Sequence, residues 1–210
     1  MNFIREKKVL HVGCGPKAAD KLHPAFRQDG WREVRFDIDE QVEPEIVGSM
    51  VDMREKVEDR AFDAIWSSHN IEHLHVHETA LALREFRRVL RPDGFALINC
   101  PDVAAIAQLI VDGRFDETIY QSPAGPITVV DMLWGHGRSI ADGNHFMAHR
   151  TGFTAESLGR RLIDCGFDEA WVFRGPAIDL WAVALGAEAE RDEVRIHLER
   201  SGVRFPQEAA

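Results

Sequence analysis

The stretch from Ser67 to His77, SSHNIEHLHVH, concentrates side chains that could bind a metal ion or accept a proton. His69, Glu72 and His73 form an H-x-x-E-H string, which is the pattern of the inverted zinc peptidases. A catalytic zinc also needs a third ligand and helices that carry the ligands. Here a short β-type run precedes the string, and two further histidines follow it before a helical pattern begins. We therefore predict a loop at the end of a strand and no metal site.

A second set of residues suits a ligand that contains a nucleoside. The string VLHVGCGPKAAD places Gly13 and Gly15 at the end of an apolar run and, we predict, just before a helix. Without a Cβ the backbone can approach a ligand closely, while N–H groups at the start of a helix face it. Asp37 and Asp39 end the next apolar run, where a carboxylate can bind both hydroxyls of a ribose. Together these features favour a nucleoside-containing cofactor over a plain tight turn.

Alternating β-type and helical patterns predict the scaffold that positions these residues. The clearest helix runs from Glu78 to Leu90 with apolar residues on one face, and Pro92 ends it. A later helix is capped by Thr154 and closed by Gly166. The β-type runs lie at residues 8–12, 33–38, 45–50, 61–68, 94–100, 169–175 and 179–186. Strands that alternate with helices form a mostly parallel sheet covered on both sides, and the short Gly-Pro turn between the last two runs favours an antiparallel pair.

Residues 113–153 interrupt this pattern, and we predict that they form a lid or cap inserted into a single domain of residues 1–210. The segment is rich in Gly, Pro, His and aromatic residues. Loops above a rigid scaffold often carry substrate contacts. As a hypothesis, His145 in this segment or His73 accepts a proton from the acceptor of the reaction. Asp102, just after the fifth β-type run, is a further candidate for the acceptor pocket.

Composition limits the partners that we expect. The 210 residues carry a formal net charge of −10, which repels a phosphate backbone and argues against nucleic acid as the main partner. No run approaches the roughly 20 apolar residues of a membrane span. Three widely spaced cysteines support no disulfide framework, so we expect a reducing cytoplasm. Five tryptophans and an apolar lid suit an acceptor pocket or a contact between two copies of the chain, which leaves a homodimer open.

Two cofactor classes compete for the glycine turn. Residues 13–18, GCGPKA, satisfy the G-x-G-x-x-A fingerprint of dinucleotide-binding proteins, so an NAD(P)-dependent oxidoreductase is one alternative. The rest of the chain favours another cofactor. Asp52 and Met53 follow the third β-type run, where a carboxylate and an apolar side chain could hold the edge and the face of an adenine.

Four strings then follow one another along the chain: VLHVGCG, FDAIWSSHNIEHL, ALREFRRVLRPDGFALINCPD and DCGFDEAWVFRGPAIDLWAVAL. Their order resembles that of the class I S-adenosylmethionine-dependent methyltransferases, especially the small bacterial ones. The resemblance covers residues 8–102 well and residues 152–186 moderately. It implies a Rossmann-like three-layer α/β sandwich, whose seven-stranded and mostly parallel sheet has an antiparallel last strand and a small lid insertion.

The resemblance also implies which residues bind S-adenosylmethionine. Gly13, Cys14 and Gly15 would approach its methionine part, and Asp37, with Asp39 beside it, would bind the ribose. The adenine and the mouth of the site would be contacted by Asp52, Met53, Ser67, Ser68 and His69.

Two residues depart from the pattern of this family. His11 stands where many members carry an acid, and Lys17 stands where many have a third glycine. We predict a cytoplasmic S-adenosylmethionine-dependent methyltransferase that acts on a small-molecule or sugar-like acceptor. The alternatives are an NAD(P)-binding Rossmann oxidoreductase and a catalytically silent nucleoside-binding protein.

Overall fold

A computed structural model of the chain describes residues 5–18, 20–122 and 124–206. Seven of the strands in these residues form one sheet, and two more pair in a separate hairpin. In chain order the strands are β1 (Lys7–Val12), β2 (Trp31–Asp37), β3 (Ile46–Val47), β4 (Phe62–Ser68), β5 (Leu90–Pro101), β6 (Thr118–Ser122), β7 (Gly125–Thr128), β8 (Glu169–Arg174) and β9 (Asp179–Leu185).

The large sheet has the strand order β3-β2-β1-β4-β5-β9-β8. β9 runs antiparallel to both of its neighbours, β5 and β8, whereas the other neighbouring strands pair in parallel. The predicted seven-stranded sheet with an antiparallel last strand is therefore confirmed. The strand order reverses between β1 and β4, and open sheets of this kind bind ligands beyond the carboxyl ends of the strands at such a reversal.

Helices cover both faces of the sheet. In the described residues they are α1 (Val76–Val89), α2 (Val103–Val111), α3 (Val129–Trp134), α4 (Gly137–Ala141), α5 (Ala155–Asp164) and α6 (Arg191–Arg200). α1 and α5 pack on one face, where Phe86 and Leu162 are fully buried, and α6 packs on the other through Leu198. This is the predicted three-layer sandwich. None of the described helices is both long and apolar enough to cross a membrane.

Local sequence explains where α1 begins and ends. The His75 N–H donates a hydrogen bond to the Glu78 carboxylate over 2.8 Å, so Glu78 completes the first turn of the helix, where its start was predicted. The helix ends at Val89 because Leu90 has extended backbone angles and because Pro92 cannot continue a helix. α1 thus starts two residues earlier and ends one residue earlier than predicted.

The helix predicted after the glycine turn does not form in the described residues between β1 and β2. That connection contains only a 3-10 turn at Pro24–Phe26. Side chains occupy the carbonyl groups that a helix would use. Trp66 donates to the carbonyl of Lys21 over 2.9 Å, and Arg27 donates to the carbonyls of residues 20 and 22. These contacts hold the connection in an irregular path, and Pro24 has no N–H to donate to the carbonyl of residue 20 as a helix would require.

The sequence did not predict α2, which directly follows β5. Asp102 caps this helix by accepting hydrogen bonds from the N–H groups of Ala104 and Ala105 over 3.0 and 3.3 Å. α2 then packs against α3 and β7. Their contact buries a separate apolar cluster of Ile106, Leu109, Ile127, Val129 and Met132. This cluster attaches the 113–153 segment to the rest of the fold.

Candidate active site

A cavity of about 600 Å³ opens beyond the carboxyl ends of β1, β2 and β4. Its volume falls within the roughly 300–1,000 Å³ that is typical of small-molecule sites. Most of its wall comes from the loops that follow these strands, and the 113–153 segment completes it. The lining residues are 11–16, 20, 21, 36–39, 42, 48–51, 66, 68–70, 73, 74, 78, 144, 146, 147 and 150.

The glycine turn after β1 has no room for side chains. Gly13 has a φ of +66°, and a Cβ at this position would lie 2.4 Å from the side chain of Asn70. The Gly13 and Cys14 N–H groups donate to the carbonyl of Phe36 over 2.9 and 3.2 Å. The turn is thus fastened to β2, and the prediction that N–H groups of a following helix face the ligand is wrong. Burial raises the pKa of the Cys14 thiol to about 11, so this residue is not a nucleophile at neutral pH.

Asp37 connects the glycine turn to the end of β2. Its two carboxylate oxygens accept hydrogen bonds from the N–H groups of Gly15 and Asp39 over 2.8 and 3.0 Å. Because each carboxylate oxygen has two lone pairs, Asp37 can still accept hydrogen bonds from two hydroxyls. Asp39 also lines the cavity, where it caps a 3-10 turn by accepting from the Gln41 N–H. The structure therefore brings both predicted acids to the cavity.

Asp52 and Met53 lie outside the cavity. Asp52 is exposed and forms an ion pair with Arg54, while Met53 is fully buried in the core. The offset arises because β3 has only two residues and a bridge between Ser49 and Asp52 then turns the chain. Met50 and Val51 line the cavity in their place. This corrects the predicted adenine contacts.

The residues that follow β4 divide between the wall of the cavity and the core. Ser68 and His69 line the cavity, whereas Ser67 is fully buried and does not. His69 has a φ of +48°, which is uncommon for a residue with a side chain and costs backbone energy. Asn70, which was not predicted as a site residue, lines the cavity and covers Gly13.

Of the three predicted acceptor-side residues, only His73 lines the cavity. Its ring nitrogens lie 3.2 Å from the carbonyl oxygen of Ala148 and 3.1 Å from that of His69. His145 is exposed and is not part of the wall. Asp102 is buried, caps α2 and forms an ion pair with Arg174 over 2.8 Å. The structure thus gives Asp102 a structural position away from the acceptor pocket.

Residues 10–98 match the sequence profile of the family described as "Methyltransferase domain". These residues are fewer than half of the chain, and their match supports an enzyme of the class I S-adenosylmethionine-dependent methyltransferases. No curated protein matches the sequence.

Solved structures share the fold of this methyltransferase. A SAM-dependent methyltransferase from Archaeoglobus fulgidus is 13% identical, with a TM-score of 0.56 over 85% of this chain and 86% of that chain. The citrinin polyketide synthase CMeT domain is 17% identical, with a TM-score of 0.57 over 90% of this chain. The present chain spans only 48% of the length of that chain. A Burkholderia thailandensis 1,6-didemethyltoxoflavin-N1-methyltransferase with bound S-adenosylhomocysteine is 16% identical, with a TM-score of 0.52 over 87% of this chain and 72% of that chain.

The cavity of the methyltransferase fits S-adenosylmethionine. The side-chain-free turn at Gly13 leaves the backbone open to a ligand, and Asp37 keeps lone pairs for ribose hydroxyls. His11, the residue that departs from the family pattern, lines the cavity and binds Glu33 through Nδ1 over 2.6 Å. The contact with His11 lowers the pKa of the Glu33 carboxyl. Glu33 on β2 thus places a carboxylate next to His11, the position in β1 at which many family members carry an acid.

The H-x-x-E-H string of the methyltransferase is not mounted on a helix as a zinc peptidase requires. Glu72 and His73 belong to a 3-10 turn, Ile71–His73, that follows β4. Glu72 is only 1% exposed, and His69 Nδ1 and His149 Nε2 lie 3.5 and 4.0 Å from its Oε1. Burial by itself raises the pKa of Glu72, but the surrounding histidines lower it below its usual value. Burial lowers the pKa of His149, whereas Glu72 outweighs burial and raises that of His69.

Three further lining residues escaped sequence reasoning. Lys21 lies in the irregular connection after the glycine turn, and its Nζ would be 2.4 Å from a Cβ on Gly15. Asp20 lies beside it in the wall. Arg150 reaches the wall from the end of the 113–153 segment, and its N–H donates to the carbonyl of Glu72 over 2.8 Å. No spacing pattern marks Asp20 or Lys21, because the connection has no regular structure.

Proposed function

We propose that the methyltransferase transfers the methyl group of S-adenosylmethionine to a small-molecule or sugar-like acceptor. One observation carries this proposal. A single cavity is lined both by the glycine turn with Asp37 and by His73, Phe146 and Arg150, which belong to or adjoin the 113–153 segment. In this proposal the segment is the cap that closes the acceptor side of a single domain.

The size and charge of the site support a small acceptor. A cavity of about 600 Å³ has to hold cofactor and acceptor together, which leaves room for a compact molecule. The net charge of −10 opposes the approach of a nucleic acid. The Burkholderia thailandensis neighbour binds 1,6-didemethyltoxoflavin, which is also a small molecule.

The chain's own residues would perform two tasks. S-adenosylmethionine supplies an electrophilic methyl group, and its transfer in line to a nucleophile depends mainly on alignment. Asp37 would hold the ribose by accepting hydrogen bonds from its hydroxyls. Asp20 and Lys21 offer one negative and one positive group beside the glycine turn, which matches the ammonium and carboxylate of an amino acid. They would replace the acid that is missing at His11.

The cysteines bear on the compartment that we propose for the protein. Cys14, Cys100 and Cys165 are all free and buried. Proteins of oxidising compartments usually join such residues in disulfides. This supports a cytoplasmic location as part of the proposal.

The proposal is tested first with ligands and then with acceptors. Calorimetric titration with S-adenosylhomocysteine should show saturable binding, and titration with NADH should show none. Methyl-labelled S-adenosylmethionine should then label extracted small metabolites or sugars, and should leave RNA and protein fractions unlabelled. Binding of NADH without S-adenosylhomocysteine would refute the cofactor assignment. Label in the RNA or protein fraction alone would refute the acceptor class, and cofactor binding without any transfer would indicate a silent nucleoside-binding protein.

A further inference from the structure

Glu72 is a buried carboxylate that lacks a hydrogen-bond partner. Its side chain is 1% exposed, and neither oxygen accepts a hydrogen bond from the residues that the structure describes. A buried carboxylate is unfavourable unless a proton, a cation or a set of donors compensates its charge. Its nearest nitrogen neighbours, on His69 and His149, lie beyond good hydrogen-bond distance. Among the described residues, only histidine nitrogens lie near this carboxylate, and such a setting can also bind a metal cation.

His149 presents a lone pair to Glu72. Its Nδ1 lies 3.0 Å from the carbonyl oxygen of Met132, and since a carbonyl only accepts, Nδ1 carries the hydrogen. In the neutral ring with its hydrogen on Nδ1, Nε2 has a free lone pair. That nitrogen lies 4.0 Å from Glu72 Oε1. A histidine whose other nitrogen is bound to a backbone carbonyl has the usual orientation of a metal ligand.

His73 supplies a third donor atom. Both of its ring nitrogens face carbonyl oxygens, at 3.2 Å from Ala148 and 3.1 Å from His69. A neutral imidazole donates only one hydrogen, so the second nitrogen keeps a lone pair, which a rotation of the ring away from the carbonyl oxygen would present to a metal ion. Each of Glu72, His73 and His149 offers one ligand atom, and these three atoms lie within 4.8 Å of one another. The ligand atoms of a tetrahedral zinc are about 3.4 Å apart, so a contraction of up to about 1.4 Å would bring all three into its coordination shell.

We propose that Glu72, His73 and His149 bind a divalent transition-metal ion of the zinc class. Two imidazoles and one carboxylate are the ligand set of open, catalytic zinc sites, in which a further coordination position remains for a substrate. This set differs from the H-x-x-E-H string, because His149 replaces His69 as the second imidazole. It also revises the prediction that the protein has no metal site.

Backbone hydrogen bonds hold the two halves of this site together. The N–H groups of Arg150 and Thr151 both donate to the carbonyl of Glu72, over 2.8 and 3.1 Å. The ligands are thus positioned by the 3-10 turn after β4, which carries Glu72 and His73, and by the end of the 113–153 segment, which carries His149. Because His73 lines the cavity, the ion would lie at its wall and would bind an acceptor through an oxygen or nitrogen lone pair. This last role rests on the proposed function, whereas metal binding itself does not.

The test measures metal binding without cofactor or acceptor. Protein that has been stripped with a chelator is titrated with Zn²⁺ by calorimetry, and with Co²⁺ while its visible absorption is recorded. We expect one ion per chain with a Kd in the micromolar range or below, and Co²⁺ bands of a four- or five-coordinate site. Glu72→Gln and His149→Ala should each weaken binding at least tenfold.

Matched controls separate this site from weak binding to surface histidines. His75 and His77 are exposed and their rings stack 5.8 Å apart, so the double variant His75→Ala/His77→Ala removes the nearest such pair. It should bind Zn²⁺ like the unaltered protein. Glu72→Gln keeps the size of the side chain and removes its charge, so the variant should show a much smaller Tm increase with Zn²⁺ than the unaltered protein.

Three outcomes would overturn the proposal: no saturable Zn²⁺ binding, binding that both ligand variants retain, or binding that only the His75/His77 variant loses. Titration with S-adenosylhomocysteine on the same samples keeps the two proposals apart. Loss of the metal result with intact S-adenosylhomocysteine binding refutes the metal site alone. Absence of S-adenosylhomocysteine binding refutes the proposed function and leaves the metal result to stand by itself.

Discussion

The backbone N–H of Gly15 donates a hydrogen bond to the carboxylate of Asp37 over 2.8 Å. The glycine turn and the acid that we propose to bind the ribose are therefore one hydrogen-bonded unit. Replacing Asp37 with Asn removes a charged acceptor that serves both the turn and a ligand. Hydrogen bonds to charged groups contribute about 1.5–3 kcal/mol, so Asp37→Asn should raise the Kd for S-adenosylhomocysteine about tenfold or more.

Asp52→Asn is the matched control for that variant. Asp52 was predicted to contact adenine, but it is exposed and pairs with Arg54 outside the cavity. The Kd of this variant should stay within about twofold of the unaltered protein. Calorimetric titration of both variants decides the matter, and equal losses of affinity would contradict the position of Asp52 described above.

Lys21 should recognise only the amino-acid end of the cofactor. Lys21→Met removes the cation beside the glycine turn, so the Kd for S-adenosylhomocysteine should rise about tenfold while that for adenosine stays unchanged. Lys17→Met is the control, because Lys17 lies in the same connection but is exposed and outside the wall. An equal loss of adenosine affinity in Lys21→Met would show that Lys21 acts on the fold of the pocket.

Gly13 should tolerate a side chain less well than Gly30. Both have a positive φ, of +66° and +89°, but an added Cβ meets Asn70 at Gly13 and nothing within 4 Å at Gly30. Gly30→Ala should cost about 1–2 kcal/mol of stability from backbone strain. Gly13→Ala should cost at least about 1 kcal/mol more, because a clash is added to the strain.

Urea unfolding of the two glycine variants measures this difference. Adding Asn70→Ala to Gly13→Ala removes the atoms that the new Cβ meets, so part of the lost stability should return. A double variant no more stable than Gly13→Ala would mean that strain alone explains the loss.

Arg88 should stabilise the fold far more than its neighbour Arg84. Its guanidinium binds both carboxylate oxygens of Glu85 over 2.7 Å, and Glu85 in turn accepts the Met53 N–H over 2.6 Å. Arg88→Ala leaves this buried carboxylate without its charged partner and should cost about 2–3 kcal/mol. Arg84 is exposed, so Arg84→Ala should change the free energy of unfolding by less than about 0.5 kcal/mol. Similar values in urea unfolding would contradict the structural role of Arg88.

Stability should fall as the pH drops from 6.5 towards 4. Burial lowers the pKa of His23 to about 4, whereas the unfolded chain has the ordinary value near 6.5. Between these values the unfolded state binds more protons, so acidification favours unfolding by up to about 3 kcal/mol. Burial also lowers the pKa of His197, which adds to the effect in the same direction.

Urea unfolding at pH 7.5, 5.5 and 4.5 measures this dependence. His23→Asn keeps an acceptor for the Ala25 N–H that His23 caps, but it removes the titrating ring. The variant should lose less stability on acidification than the unaltered protein, whatever its stability at pH 7.5. Identical pH dependences would show that His23 is not the group responsible.

Short-range patterns predicted most of the fold and the core of the cofactor site. The amphipathic spacing in α1 and the glycines after β1 are local signals, and Asp37 follows from the end of a strand. The irregular connection after the glycine turn is held by Arg27, which lies within it, and by Trp66, which reaches the carbonyl of Lys21 from β4. No local pattern could show the contact with Trp66.

The acceptor side was harder to predict, because its residues meet across long stretches of chain. His149 approaches Glu72 only when the 113–153 segment returns to the turn after β4. His145, four positions earlier in the same segment, has the same residue type, yet it is exposed. The choice between these two histidines is made by the path of the backbone.

That path has a consequence for engineering the enzyme. The carbonyl of Glu72 accepts two N–H groups from residues 150 and 151, and His73 contacts the carbonyl of Ala148. A chimera that receives a foreign segment in place of residues 113–153 loses the partners of the turn after β4 at the same time. New acceptor preferences should therefore transfer between such enzymes only when residues 69–73 are exchanged together with the segment, as one module.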